Sequence, residues 1–301
     1  MAVATASRVM IRRSMMGRAI RMFLGESRTL AGVMIWIGIA IVLSLIVVAA
    51  LAPLLAPYDP NASVTTAATP PSGAHPMGTN KLGQDVLSRV IWGARVPLAI
   101  VALASSISLV LGLPLGLVSG FYGRYLDRVL VLVMDSIYAF PGLLLAIVVA
   151  AIIGPGVVNV SFVIALVYVP TYFRVIRNHV ASVKQELFVE AAEAVALPRR
   201  RILSRYILPS VAQNVPVIFS ISAADAVLTA AGLAFLGLGL PLDVPDWGLD
   251  LSLRSGLIQT GQWWPAFFPG LMIIVLTTAL AFISEGLNDI LNPLLKRRGV
   301  Q

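Results

Sequence analysis

The chain contains no cysteine and only two histidines, His75 and His179, in 301 residues. Disulfides, thiolate nucleophiles, iron–sulfur clusters and Cys-ligated zinc are therefore excluded. The two imidazoles, neither with a second ligand at helical spacing, read as loop residues and argue against a metalloenzyme. No His-Glu-x-x-His and no Gly-x-Ser-x-Gly occurs, so no hydrolytic set can be assembled. Charge is also scarce: 12% of residues are Asp, Glu, Lys or Arg, against 58% hydrophobic. With a mean hydropathy of +0.90, the chain falls outside the soluble classes. What it has instead is long apolar runs, and it reads as an all-α membrane protein.

A helix needs roughly 20 apolar residues to cross about 30 Å of hydrocarbon. Six transmembrane stretches meet that length, near 30–57, 94–120, 127–153, 157–175, 207–239 and 265–291. The first follows a basic head without a short apolar core and small-residue cleavage site, so it reads as an uncleaved anchor. The second, fifth and sixth exceed what a perpendicular helix requires, which implies tilt, breaks or extension beyond the bilayer.

Every basic residue except Lys81, Arg89, Arg95 and Arg254 falls in the head, the turn after span two, the segment after span four, or the tail. The alternate segments carry Asp59, Asp85, Asp243, Asp246 and Asp250. This asymmetry predicts both termini in the cytoplasm and explains the net charge of +8 by topology rather than by nucleic acid. The expected organisation is a basic cytoplasmic segment 1–29, an anchor 30–57, an extracytoplasmic loop 58–93, a core 94–292 and a cytoplasmic tail 293–301. The 58–93 loop, rich in Pro, Ala, Thr and Asn, is expected to bury no core and to run over a surface as a connector with a docking role. Trp263 and Trp264, just before span six, suit anchoring at the headgroup level.

Between spans four and five, strong helix formers from Glu186 to Ala196 carry acids first and bases after. They predict a short helix, a turn at Pro198, and a second helix entering span five. Leu187, Ala191, Ala194 and Val195 share one face as an apolar stripe. Periodicity alone leaves open a helix lying on the membrane surface. Gly112, Gly116 and Gly120 sit on one face of span two at four-residue spacing, where another helix can approach closely. Pro141, Pro170 and Pro216 are expected to break spans three, four and five. Asp225, deep in span five among Ala223, Ala224 and Ala226, costs a few kcal/mol unless it faces a polar cavity or a partner.

The segment Glu190-Ala191-Ala192, with Leu208-Pro209 closing it, resembles the EAA loop of bacterial ABC importer permeases, Ala196 standing where that family has glycine. His75 to Arg89, Gly93-Ala94-Arg95, Asp135 to Pro141, Ala234 to Gly239, Pro245-Asp246-Trp247-Gly248, Phe268-Pro269-Gly270 and Glu285 to Pro293 are similar, in order, to segments of the C-type permease of the dipeptide and oligopeptide family. Asn80 and Gln84 replace that family's Asp and Arg, Asp225 replaces a small residue, and Ala230 stands where it has Glu. A glycine at 196 would ease a sharp turn, which Ala is expected to make only with φ below zero, Pro198 supplying the break.

The resemblance implies the type I ABC importer permease fold in a bacterial cytoplasmic membrane. Its implied partners are a homologous second permease, two cytoplasmic ATPases and an extracytoplasmic binding protein, with membrane lipid around it. The chain itself is expected to bind no cofactor or metal; ATP and Mg belong to the ATPases, and no Walker A loop is present. Glu186, Glu190, Ala191, Ala192, Ala196, Leu197, Pro198 and Pro209, within the 186–209 segment, are the implied ATPase-coupling residues. Asp225, Asp135 and Pro141 are placed on the translocation path, Asp225 attracting a cationic group such as a peptide amino terminus and Asp135 having a structural acceptor role as its competing reading. Di- and oligopeptides are the implied solutes, with glutathione-like solutes and nickel chelates within the same class. A proton- or sodium-coupled secondary transporter is the rival mechanism, disfavoured because it leaves 186–209 unexplained and no inverted repeat is evident.

Overall fold

A computed structural model describes residues 30–291; the basic head and the tail 293–301 lie outside the described residues. Among the described residues the chain is helical, with a single isolated bridge between Thr79 and Asp85 in place of any strand. Helix α1 (Leu30–Ala50) and the short α2 (Ala52–Leu55) lead into the first loop. Helices α3 (Val86–Gly93) and α4 (Arg95–Tyr122) then follow end to end. Helices α5 (Arg124–Tyr138) and α6 (Gly142–Ile153) are bent 85° against each other, and α7 (Val157–Val183) is continuous. The next connection holds α8 (Leu187–Ala194), α9 (Arg199–Ile202), a π-helical turn (Leu203–Ile207) and α10 (Leu208–Ala212). Helix α11 (Val215–Phe235), α12 (Trp247–Arg254), a 3-10 turn (Ser255–Thr260) and α13 (Trp264–Leu291) complete the bundle. Among the described residues five helices are long and apolar enough to cross a membrane, and the bent α5–α6 pair makes a sixth if counted as one.

The expected span boundaries are corrected at several prolines. Span three is broken because Pro141 pushes Phe140 out of the helical region, and Pro141 itself is the residue that opens α6. Pro170 does not break span four: α7 runs through it to Val183, well past 175. The Ser108 hydroxyl reaches the Ala165 carbonyl at 3.2 Å, beside the point where the proline interrupts the ladder. Pro216 lies in the first turn of α11, where its missing N–H is no loss, so the helix starts at Val215 and not near 207. Helix α1 ends at Ala50, before 57, where Arg95 Nε donates to the Ala49 carbonyl at 2.7 Å.

The most extensive helix pairing is α4 on α7, through the glycine face seen in the sequence. A Cβ on Gly116 would sit 2.8 Å from the Phe173 carbonyl oxygen, and one on Gly120 2.7 Å from that of Arg177. Only a residue without a side chain lets two backbones come this close. Helices α1 and α13 meet in the same way, Gly38 against the Ala279 backbone and Gly286 against Ile35 and Ala31.

The first loop departs from expectation. It is not a surface connector without an interior: Met77, Val86 and Val90 pack with Trp264, and a network of polar groups is buried beside them. Thr79, Asn80, Asp85 and Ser88 are fully buried, and Arg89 and Asp250 nearly so. Asp85 caps α3, accepting from the Ser88 N–H at 2.8 Å and its hydroxyl at 2.7 Å. Its other oxygen lies 2.9 Å from Nδ1 of His75, which is buried and stacked against Tyr58. Asn80 and Gln84 complement each other, the Asn80 amide donating to the Gln84 side-chain oxygen at 2.8 Å. Arg89 forks onto Asp250, with contacts of 2.8 and 3.0 Å, and donates to the Pro60 carbonyl and the Asn61 side chain at 3.1 Å. The indoles of Trp247 and Trp264 donate to the carbonyls of Val90 and Thr79. Trp264 is thus buried under the loop and does not serve as a headgroup anchor, while Trp263 stays exposed.

Asp246, buried in this cap, accepts from the Leu249 N–H at 2.9 Å, yet burial pushes its carboxyl up from 3.8 to about 6. A raised folded-state pKa means that the neutral form stabilises the fold. That contribution is complete below about pH 4 and is lost as pH rises through about 6, amounting to about 3 kcal/mol. Thermal unfolding of the purified protein between pH 4.5 and 7.5, a range chosen to bracket about 6, should show wild type losing stability as pH rises and Asp246→Asn losing less.

Candidate functional site

Two features converge on α7, one at its C-terminal end and one along its length. The first is the 186–209 connection. The expected helix 186–196 is shortened to α8, with Glu186 as its extended N-terminal cap residue. Val189 and Ala192 are buried in a cluster with Phe121, Ile176, Val180, Ile202 and Ile207, which seats α8 on the ends of α4 and α7. The stripe of Leu187, Ala191, Ala194 and Val195 is not the seated face. It points outward, Leu187 being 80% and Val195 70% exposed, with Glu190 and Phe188 also exposed.

Ala196 corrects the expectation about the turn. Its φ is +54°, the left-handed conformation normally left to glycine. The Leu197 N–H returns to the Ala192 carbonyl at 3.2 Å and the Ala196 N–H to that of Glu193 at 2.9 Å. These are the paired bonds of a Schellman stop, with Leu197 packed back against the cluster. The alanine therefore performs the glycine's conformation, and Pro198 follows the break without making it. Further on, the Leu208 N–H bonds to the Leu203 carbonyl, a wide π turn immediately before Pro209. Such turns recur at functional sites.

Ion pairs brace this end. Arg177 donates to the Asp127 carboxylate at 2.7 Å, and the Ser119 hydroxyl binds the same group, joining α4, α5 and α7. Lys184 Nζ donates to the Phe121 carbonyl at 3.0 Å, where α4 ends. Sequence reading treated Arg177 and Lys184 as topological charges only. The signal it missed was Asp127, an acid set in a basic turn.

The second feature is a pair of open cavities along α7 and α11. One, of about 420 Å³, is lined by Tyr138, Phe140, Pro141, Tyr168, Ser222 and Asp225, among others. The other, about 640 Å³, carries His179, Gln213, Asn214 and Asn288, and the two share Thr171, Ile221 and Ser222. They make one track along the bundle. Asp225 and Pro141 meet in the first cavity. Among the described residues the Asp225 carboxylate has neither an ion-pair nor a hydrogen-bond partner. Asp135 is elsewhere: it accepts from Arg174 at 2.8 Å, and that guanidinium lies 4.2 Å over the Tyr138 ring. His179 is no isolated loop residue, since the Asn214 amide lies 3.0 Å from its Nδ1 within α7. The track was legible as Asn214, Ile218, Ser222 and Asp225 on one face of α11, and Thr171, Val175 and His179 on one face of α7.

A bundle of membrane-crossing helices with an open polar track, and a short helix seated across its end, defines an integral membrane transport subunit. Residues 112–297 match the family described as binding-protein-dependent transport system inner membrane component. The chain is 36% identical over 261 residues, 86% of each chain, to the dipeptide transport system permease protein of Alkalihalophilus pseudofirmus. It is 36% identical over 258 residues, 85% of each chain, to the glutathione transport system permease protein of Pectobacterium atrosepticum. The chain belongs to the family of binding-protein-dependent inner-membrane permeases and is a multi-pass protein of the bacterial inner membrane.

Left-handed backbone costs a residue with a Cβ about 1 kcal/mol. Ala196→Gly should therefore slow proteolysis at the 195–198 turn and raise thermal stability slightly, whereas Ala196→Val should do the opposite, as read by limited proteolysis and melting in detergent.

Proposed function

We propose that this chain is one of two permease subunits of an ATP-driven, binding-protein-dependent importer of short peptides, with both termini in the cytoplasm. The observation that carries this reading is α8, held to the bundle by Val189 and Ala192 while Leu187, Phe188, Ala191 and Val195 stand exposed. An apolar helix face left uncovered suits a cleft on a partner. In this reading the partner is a cytoplasmic ATPase, one of two that bind ATP and Mg, and this chain binds no cofactor and catalyses no reaction. Glu186 and Glu190 flank the docked face, Ala191 and Ala192 keep the helix slim, and Ala196, Leu197 and Pro198 fix its exit. Pro209, after the π turn, is where its movement passes to α11. Because α8 is packed on α4 and α7, a rigid-body shift there tilts the helices that line the track, as alternating access requires.

The second permease closes the open side of the track, and a binding protein delivers solute at the end carrying the 58–93 cap. Two relatives named for dipeptide and for glutathione transport support short peptides as the solute class. Asp225 meets the solute's amino terminus in the cavity formed with Pro141. Asp135 acts through Arg174, which stacks on Tyr138 at the rim.

Leu187→Asp and Glu190→Arg should each abolish copurification of the ATPases from mild detergent while the second permease stays bound. ATPases retained at wild-type level in both variants would refute the coupling assignment. In cells carrying the complete importer, Asp225→Asn should reduce uptake of peptides with a free amino terminus by roughly tenfold and leave N-acetylated peptides nearly unaffected, as expected for loss of one partly desolvated charge pair.

A further inference from the structure

A small cavity of about 190 Å³ at the α8 end is lined by Phe121, Tyr122, Arg124, Lys184, Glu193 and Arg199. Its depth follows from the helices that form it. Helix α4 ends at Tyr122 and α7 at Val183, so the cavity sits at the ends of two helices that extend past their apolar spans, on the headgroup side of the hydrocarbon. Helix α9 brings Arg199 to it from the coupling connection. Three cations therefore face one carboxylate. Lys184 is partly engaged by the Phe121 carbonyl and lies 5.7 Å over that ring. Among the described residues the side chains of Arg124, Arg199 and Glu193 form no ion pair. The excess positive charge is thus unneutralised within the described protein.

Two further observations narrow what would neutralise it. Arg124 holds φ at +56°, a conformation uncommon outside Gly, Asn and Asp, and such outliers persist where the surroundings over-determine them. Helix α5, which starts at Arg124, exposes Tyr125, then Leu126, Val129 and Val133 on one helical face. An apolar strip thus begins at the cavity and runs along a span, with Tyr122 and Tyr125 exposed at its head in the manner of interfacial aromatics. A soluble anion would use the cations alone. A lipid uses both the cations and the strip.

We propose that this cavity binds the phosphate headgroup of an anionic membrane phospholipid, its acyl chains lying along α5. Basic pockets between spans at the membrane surface are suited to such headgroups. Since Arg199 belongs to the connection between α8 and α11, the bound lipid ties that connection to the ends of α4 and α7.

The test is native mass spectrometry of the full chain in neutral detergent, with dioleoylphosphatidylglycerol, dioleoylphosphatidylcholine and inorganic phosphate as separate probes. Phosphatidylglycerol should bind in preference to phosphatidylcholine. Arg124→Gln and Arg199→Gln should each weaken its binding about fivefold, and the double variant about 25-fold, while Arg200→Gln, on the same helix but outside the cavity, changes it by less than about twofold. Elution profile and melting temperature confirm that each variant is folded. Unchanged phosphatidylglycerol binding in the double variant, or equal weakening by Arg200→Gln, overturns the proposal. So does displacement of the lipid by equimolar inorganic phosphate, which would make this a site for a soluble ion. Loss of ATPase copurification in the double variant, with lipid binding intact, likewise overturns it and assigns the cavity to the motor interface.

Discussion

Helix α7 touches almost everything of consequence in this subunit, and what places it is the glycine contact with α4. Without side chains at 112, 116 and 120, the backbone of α4 lies against Tyr172, Phe173, Ile176 and Val180. In a bilayer the surrounding lipid is as apolar as the helices themselves, so close van der Waals contact supplies the association that water would otherwise drive. From that contact α7 presents Thr171 and His179 to the track on one side and Ile176, Val180 and Val183 to the seat of α8 on another. The track and α8 are therefore fixed to one rigid element. A push at α8 has few soft joints in which to be absorbed before it reaches the cavity.

The opposite end is built on different chemistry. There the 58–93 cap closes through the Arg89–Asp250 fork, the Asp85 cap and the indole bonds of Trp247 and Trp264, around a small apolar cluster of Val86, Val90 and Trp264. Fully satisfied polar networks rigidify a structure because every alternative leaves a buried group unpaired. Asp246, pushed up by its burial in the same cap and less so by the neighbouring Asp250, is where that network is under strain. The molecule thus has a glycine-packed apolar middle and a polar lid.

The spans, the glycine face and the short helix before span five were legible because each has a local signal: hydropathy, four-residue spacing, or propensity with a proline stop. Asp225 was singled out by rarity, a carboxylate among alanines; that it shares a cavity with Pro141 and not with Asp135 was not legible. What sequence reading could not see was pairing at a distance. Arg89 and Asp250 stand far apart in the chain, as do Asp127 and Arg177, and nothing in either neighbourhood announces its partner. The cap was read from composition as a connector, since composition measures apolar burial and this loop is held by hydrogen bonds. The seated face of α8 was not readable from periodicity either. An apolar stripe ordinarily marks the buried side, but here the chain buries Val189 and Ala192 and leaves the broader stripe uncovered. Ala196 misled for a related reason, because conformational preference is a local cost that two backbone bonds and the packing of Leu197 override.

The exposed carboxylate of Asp225 also bears on the life of the subunit before it is assembled. A lone copy inserted in the bilayer would present that carboxylate and the polar track to lipid, at a cost of a few kcal/mol for the charge alone. Any partner that covers the track removes that cost. A copy made without such a partner is then the less stable species, the one a membrane protease would encounter open.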